Sequence, residues 1–123
     1  MNRKFPDTRL RRLRSNPSLL RITAETSLTV DDLIQPIFIK EGIKKTEAIE
    51  SMPNVNRYSK EGVIDYCKSL MDLGIKAVAL FPVIDPKKKD LKGVEAFNRK
   101  NLICGTVESI KKKIPELVLI VDV

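Results

Sequence analysis

Two stretches of five consecutive apolar residues, Ala77-Val78-Ala79-Leu80-Phe81 and Leu117-Val118-Leu119-Ile120-Val121, carry no polar alternation. A strand with one wet face reads with period two, whereas an unbroken run predicts a strand buried on both faces, as in a parallel sheet. Each run follows an amphipathic stretch. Ser59 opens the first, with Val63, Ile64, Cys67, Leu70 and Met71 on one stripe and Asp65, Lys68, Ser69 and Asp72 opposite, and Gly74 stops it. The second runs from about Arg99 to Ile114, with Ile103, Val107, Ile110 and Ile114 inward, Glu108, Lys111 and Lys112 outward, and Pro115 as terminator.

Leu33–Lys40 (LIQPIFIK) predicts a further strand, with Pro36 where no ladder bond is needed. Glu41 to Tyr58 reads as a loop, Pro82 as the end of the second strand, and residues 82–98 as a long charged loop containing Lys87-Lys88-Lys89. The order is β, α, β, α, β, and such alternation implies right-handed crossovers and an α/β class. Three strands and two helices cannot cover both faces of a parallel sheet, and open edges pair or aggregate. The expectation is therefore a fragment, or a piece whose partner elements lie on another chain.

Residues 1–32 contain no predicted strand and read as an arm. Asn16 caps a short helix that starts at Pro17 and carries Leu19, Leu20 and Thr23. Two turns cannot stand alone, so the patch needs a surface to dock on. The chain's net charge of +7 is concentrated here: residues 1–21 hold seven basic residues against Asp7, whereas the rest has 16 basic and 15 acidic. Seven basic residues could bind phosphates in a salt-dependent way. The arm lacks stacking aromatics and a helix-turn-helix pattern, and Leu10, Leu13, Leu19 and Leu20 among the charges favour a protein interface. No apolar run approaches the ~20 residues of a membrane span, and no apolar segment follows the charged start as in a signal peptide, so the expected compartment is the cytoplasm and no membrane partner is expected.

Ligands of parallel α/β folds bind at the carboxyl ends of the strands. That rule selects Ile39 to Gly42, Phe81 to Asp85, and Asp122, a carboxylate placed directly after five apolar residues. Asp85 reads as solvated. Lys76 stands at the amino end of its strand, where residues serve stability, and Lys87–Lys89 and Lys111–Lys113 read as solvated faces. No P-loop, GxGxxG, HExxH or nucleophile-elbow pattern is present. Cys67 and Cys104, with no histidine anywhere, resemble neither a disulfide framework nor a zinc site; both are expected to be small core hydrophobes.

Several segments resemble the δ-aminolevulinic acid dehydratase (porphobilinogen synthase) family, in order along essentially the whole chain. Asp31 to Phe38 is similar to the start of its first barrel strand. Glu50 to Val55 and Tyr58-Ser59 are similar to the loop that follows. Gly74 to Ile84 is similar to a hallmark segment, most specifically Leu80 to Pro86. Arg9 to Arg14 is similar to its arm. Ala48-Ile49-Glu50 and Leu91 to Val94 depart from the common pattern, both in loops. The resemblance implies the first βαβαβ portion (residues 33–123) of a TIM (β/α)8 barrel, with residues 1–32 as an oligomerisation arm building octamers. It implies a lyase that condenses two 5-aminolevulinate molecules to porphobilinogen through two Schiff-base lysines on later strands, assisted in many members by zinc or magnesium. Onto this chain it carries Phe81, near the substrate pocket, and Asp122, at the floor of the site. It carries no metal ligand, so the chain alone is expected to bind no metal and to be inactive. The rival expectations are a basic-armed nucleic-acid-binding module and a non-catalytic fragment that docks on full-length subunits.

Overall fold

A computed structural model describes Lys4, Pro6, Thr8 and residues 11–121. The elements are α1 (Pro17–Ile22), β1 (Ile34–Lys40), β2 (Thr46–Ala48), β3 (Asn56–Tyr58), α2 (Gly62–Asp72), β4 (Ala77–Val83), α3 (Val94–Phe97), α4 (Leu102–Lys113) and β5 (Val118–Val121). They form an α/β fold around one mixed sheet of order β2-β3-β1-β4-β5. β3, β1, β4 and β5 run parallel, and only β2 is antiparallel. The three expected strands and two expected helices are all present.

Local chemistry sets the boundaries. Asn16 Oδ1 accepts the Leu19 N–H at 3.0 Å ahead of Pro17, as the cap reading required. Ser59 Oγ accepts the Gly62 N–H at 3.1 Å, so the turn it opens leads into α2. Asn101 Oδ1 accepts the Cys104 N–H at 2.8 Å, which starts α4 at Leu102, three residues later than the apolar spacing suggests. Past α2, Gly74 adopts φ +88, a left-handed conformation that closes the helix without a Cβ penalty. Lys111 Nζ donates to the carbonyls of Pro115 (2.9 Å) and Leu117 (2.7 Å), so this lysine caps the end of α4 and is not a merely solvated group.

The chain steps from β1 to β4 to β5 in one direction across the sheet. Successive crossovers of one hand that advance the same way lay their helices on the same face. The core follows from this: Ile37 and Ile39 of β1, Val78 and Leu80 of β4 and Leu117 meet Val63, Ile64, Cys67 and Leu70 of α2 and Leu102, Ile110 and Ile114 around α4. Each such side chain contributes about 1.5–3 kcal/mol relative to exposure.

The opposite face overturns one expectation. Ala77 and Ala79 are half-buried and Phe81 is 38% exposed; Val118 and Ile120 are likewise exposed. β4 and β5 are therefore covered on one face only among the described residues, because both helices share the other. Three further expectations change. Pro82 does not end β4, which continues to Val83. A strand tolerates proline where no ladder bond falls on its nitrogen, and the last described pair with β5 is Leu80 with Val121. The segment from Glu41 to Tyr58 is not only loop: β3 adds to β1 at Phe38 and Ile39, and β2 folds back on β3. Three-residue strands are too short to display periodicity. Cys104 is exposed, unlike the fully buried Cys67, because the cap at Asn101 fixes the start of α4 so that Leu102 and Thr106 face inward.

α1 buries none of its residues, and no strand precedes Ile34 among the described residues. The segment joins the sheet body through Val30 to Asp32, a short turn in which Asp32 and Thr29 form a reciprocal capping box. There Asp31 Oδ1 accepts from Lys76 Nζ at 2.7 Å. Lys76 is thus an ion-pair partner at the amino end of β4, the structural role expected of it.

Candidate ligand-binding face

On the face that α2 and α4 leave open, register brings five side chains together at the carboxyl ends of the strands. Phe38 sits beside Phe81 of β4 on one side and Arg57 of β3 on the other. Arg57 is paired with Glu47 of β2, and Lys40 lies two residues beyond Phe38 on the same face of β1. The two phenyl rings meet with centroids 5.9 Å apart and planes at 39°, within the range of favourable aromatic pairs.

Beside this apolar pair lies a three-charge cluster. Lys40 Nζ donates to both carboxylate oxygens of Glu47, at 2.8 and 2.7 Å, and Arg57 Nη1 donates to Oε1 at 2.8 Å. All three side chains are about one-third exposed. The hydrogen bonds from Lys40, and next those from Arg57, hold the Glu47 carboxyl below the usual glutamate range. The cluster is anionic at its centre, cationic at its edges, and carries a net charge of +1. Sequence reading missed it because its members lie on three strands, two of them only three residues long. The signal was present in Glu47 and Arg57, single charges flanked by residues of the opposite facing.

The loop beyond β4 reaches back over these strand ends. Lys88 pairs with Glu41, directly after β1, at 3.1 Å and with Glu95 at 3.7 Å. Lys88 is thus a bridge between two strand-end loops and not a simple solvated charge. Asp85 is exposed and accepts the Lys87 N–H at 2.9 Å, turning the chain. On the helix side of the same strand ends, Pro82, Ile84, Ala96, Ile103, Cys104 and Val121 enclose an apolar cavity of about 340 Å³.

Of the residues singled out by sequence, Phe81 is at the strand end expected, on the open face and against Phe38. Asp122 follows the last residue of β5 and lies outside the described residues. The described residues do not fit a metal: no three cysteine or carboxylate side chains converge, and the chain has no histidine. Cys67 is enclosed in the core, where burial pushes its thiol up to about 11, and a metal ligand must be a thiolate.

Parallel strands advancing one way, helices on one face and an open opposite face with polar groups at the strand ends define an α/β unit of the type that takes ligands at its carboxyl ends. The sequence matches the delta-aminolevulinic acid dehydratase family over residues 7–123, and the chain belongs to that family. It is 44% identical over 120 residues to the delta-aminolevulinic acid dehydratase of Methanothermus sociabilis, covering 98% of this chain and 37% of the relative. It is 43% identical over 115 residues to that of Bradyrhizobium diazoefficiens, covering 94% and 33%. The fold matches the crystal structure of the Toxoplasma gondii ME49 enzyme in complex with its reaction product porphobilinogen. The TM-score is 0.88 with 29% identity, over 94% of this chain and 33% of that one. The chain thus spans about a third of the length of the relatives it matches.

Proposed function

We propose that the protein carrying this chain condenses two molecules of 5-aminolevulinate to porphobilinogen, with loss of two waters, as a step of tetrapyrrole synthesis. The observation that carries the reading is the likeness of this fold, over 94% of the chain, to an enzyme holding porphobilinogen. In this reading residues 33–123 form the opening strands of a TIM (β/α)8 barrel. The one-way strand order and the apolar open face, which would line the barrel interior, support that assignment.

Phe81 lines the substrate pocket and Asp122 stands at its floor. Residues 1–32 form an arm between subunits; the exposure of Leu20, Ile22 and Leu28 supports this role. The Schiff-base lysines and the ligands of a zinc or magnesium ion belong to other strands of the barrel. Lys40, the one lysine on the open face among the described strands, has its Nζ engaged by both carboxylate oxygens of Glu47.

The test is turnover of 5-aminolevulinate by the full-length protein, read as porphobilinogen. A parallel incubation of residues 1–123 with 5-aminolevulinate and borohydride is read by protein mass. The expected results are product from the first and no adduct on the second. Absence of porphobilinogen from the full-length protein overturns the activity; a trapped adduct on residues 1–123 overturns the placement of the nucleophilic lysines.

A further inference from the structure

We propose that Phe38 is a positioning residue, whose ring holds that of Phe81 in the one orientation that meets the substrate. The inference deepens the functional reading and rests on its assignment of Phe81 to the pocket. Phe81 is 38% exposed at the carboxyl end of β4, and a phenyl ring on an open strand end has more than one staggered χ1 position to choose from. A neighbour must make the choice. Two residues back on the same face, register sets Ala79 beside Pro36, and both are too short to wedge a ring. On the β5 side the last described pair is Leu80 with Val121, one residue short of Phe81. Phe38 lies directly opposite Phe81 in the ladder. Among the described residues it is the one aromatic ring against Phe81, with centroids 5.9 Å apart and planes at 39°.

Phe38 can act as a stop because it is itself confined. It is half-buried, and its other ladder neighbour is Arg57, which donates from Nη1 to Glu47 at 2.8 Å. Aromatic pairs have preferred tilts, so the contact fixes an angle as well as a distance. A pair of this kind shifts an orientation equilibrium by about 2- to 12-fold. The effect of Phe38 on the reaction runs through Phe81. A ring that touches substrate equally in the ground and transition states shows its loss in KM, with kcat kept. A variant that merely folds less well does the opposite, since fewer active molecules lower kcat at constant KM.

The experiment uses the full-length protein, with porphobilinogen formation from 5-aminolevulinate followed for the wild type, F38A, F38L, F38Y, F81A and F38A/F81A. F38A should raise KM by about 2- to 12-fold with kcat kept. F38Y restores the ring and should return KM close to the wild-type value, whereas F38L, which keeps bulk without the ring, should recover less. In the F81A background F38A should change nothing further, because residues that act as a unit are not additive.

An F38A that lowers kcat at wild-type KM overturns the proposal, as does an F38A effect that persists in full beside F81A, or an F38Y that recovers no better than F38L. If F38A does not fold, the KM of F38L decides in the same way. Crystal structures of the wild type and of F38A or F38L keep this result separate from the functional reading. Should the full-length protein form no porphobilinogen, that reading fails, and the Phe81 rotamer decides the positioning role. A ring displaced in the variant upholds it, and one left in the wild-type rotamer overturns it. Turnover by the wild type with Phe81 unmoved in the variant is the reverse result.

Discussion

Gly62 is the position where one methyl group should do the most damage. It opens α2 inside the core, and its φ is not left-handed, so alanine meets no backbone strain there. The obstacle is steric. A Cβ at this position would lie 2.5 Å from the Lys45 carbonyl oxygen, where ordinary contact begins at 3.4 Å, a shortfall of about 0.9 Å. That carbonyl cannot easily retreat, since it accepts the Ser59 N–H at 2.8 Å and the adjacent Lys44 carbonyl accepts Ser59 Oγ at 3.2 Å. Overpacking of this kind costs about 1–3 kcal/mol, and loss of the Ser59–Lys45 hydrogen bond adds about 1 kcal/mol. Against this, replacing glycine in a helix returns at most about 0.5–1 kcal/mol. G62A should therefore destabilise by about 1–3 kcal/mol.

Gly105, in the interior of α4, supplies the control. There a Cβ meets only the end of the Lys60 side chain, at 3.3 Å from Nζ, which can swing away. G105A should be neutral or stabilising by up to about 1 kcal/mol. The assay is hydrogen exchange on the full-length protein, because local opening is read there without assuming a single unfolding transition. In G62A the amide of Ser59 and the segment 44–48 should exchange faster. A G62A protein as protected as G105A in that segment would refute the reasoning.

Two further outcomes follow from the charges and thiols. The Glu47 carboxyl is depressed in the folded chain, so its contribution is complete above the unfolded value of about 4.3 and disappears as pH falls through the lower folded one. A carboxyl carbon titration of Glu47 should have its midpoint below that of free glutamate; a midpoint at or above it contradicts the clamp. Cys67 is enclosed and its thiol pushed up to about 11, whereas Cys104 is exposed. Iodoacetamide at pH 8 should alkylate Cys104 in the native protein and Cys67 only after unfolding, and equal rates would contradict this core.

The α/β frame was legible because its signals are long. The runs at 77–81 and 117–121, the stripe from Val63 to Met71 and the caps at Asn16 and Gly74 each involve several residues acting on one element. What stayed hidden depends on contacts between elements. Whether the second face of β4 is covered is decided by where both helices land, and the residues of β4 alone do not record it. The β2–β3 pair is too short to announce itself, so Glu47, Arg57 and their link to Lys40 emerge only once β3 is seen beside β1. Cys104 was misplaced by counting apolar residues from Arg99, when the cap at Asn101 sets the phase of the helix. Phe81 was legible as a strand-end residue, but its neighbour Phe38 was not.

The central claim is that ligand occupies the open face of the sheet, over Phe38 and Phe81, and not the apolar cavity on the helix side. A crystal structure of the full-length protein with porphobilinogen or levulinate bound tests this most directly. The account predicts the ligand in van der Waals contact with Phe81, on the face opposite α2 and α4. Density for the ligand between Pro82, Ile103 and Cys104, with Phe81 untouched, would contradict it.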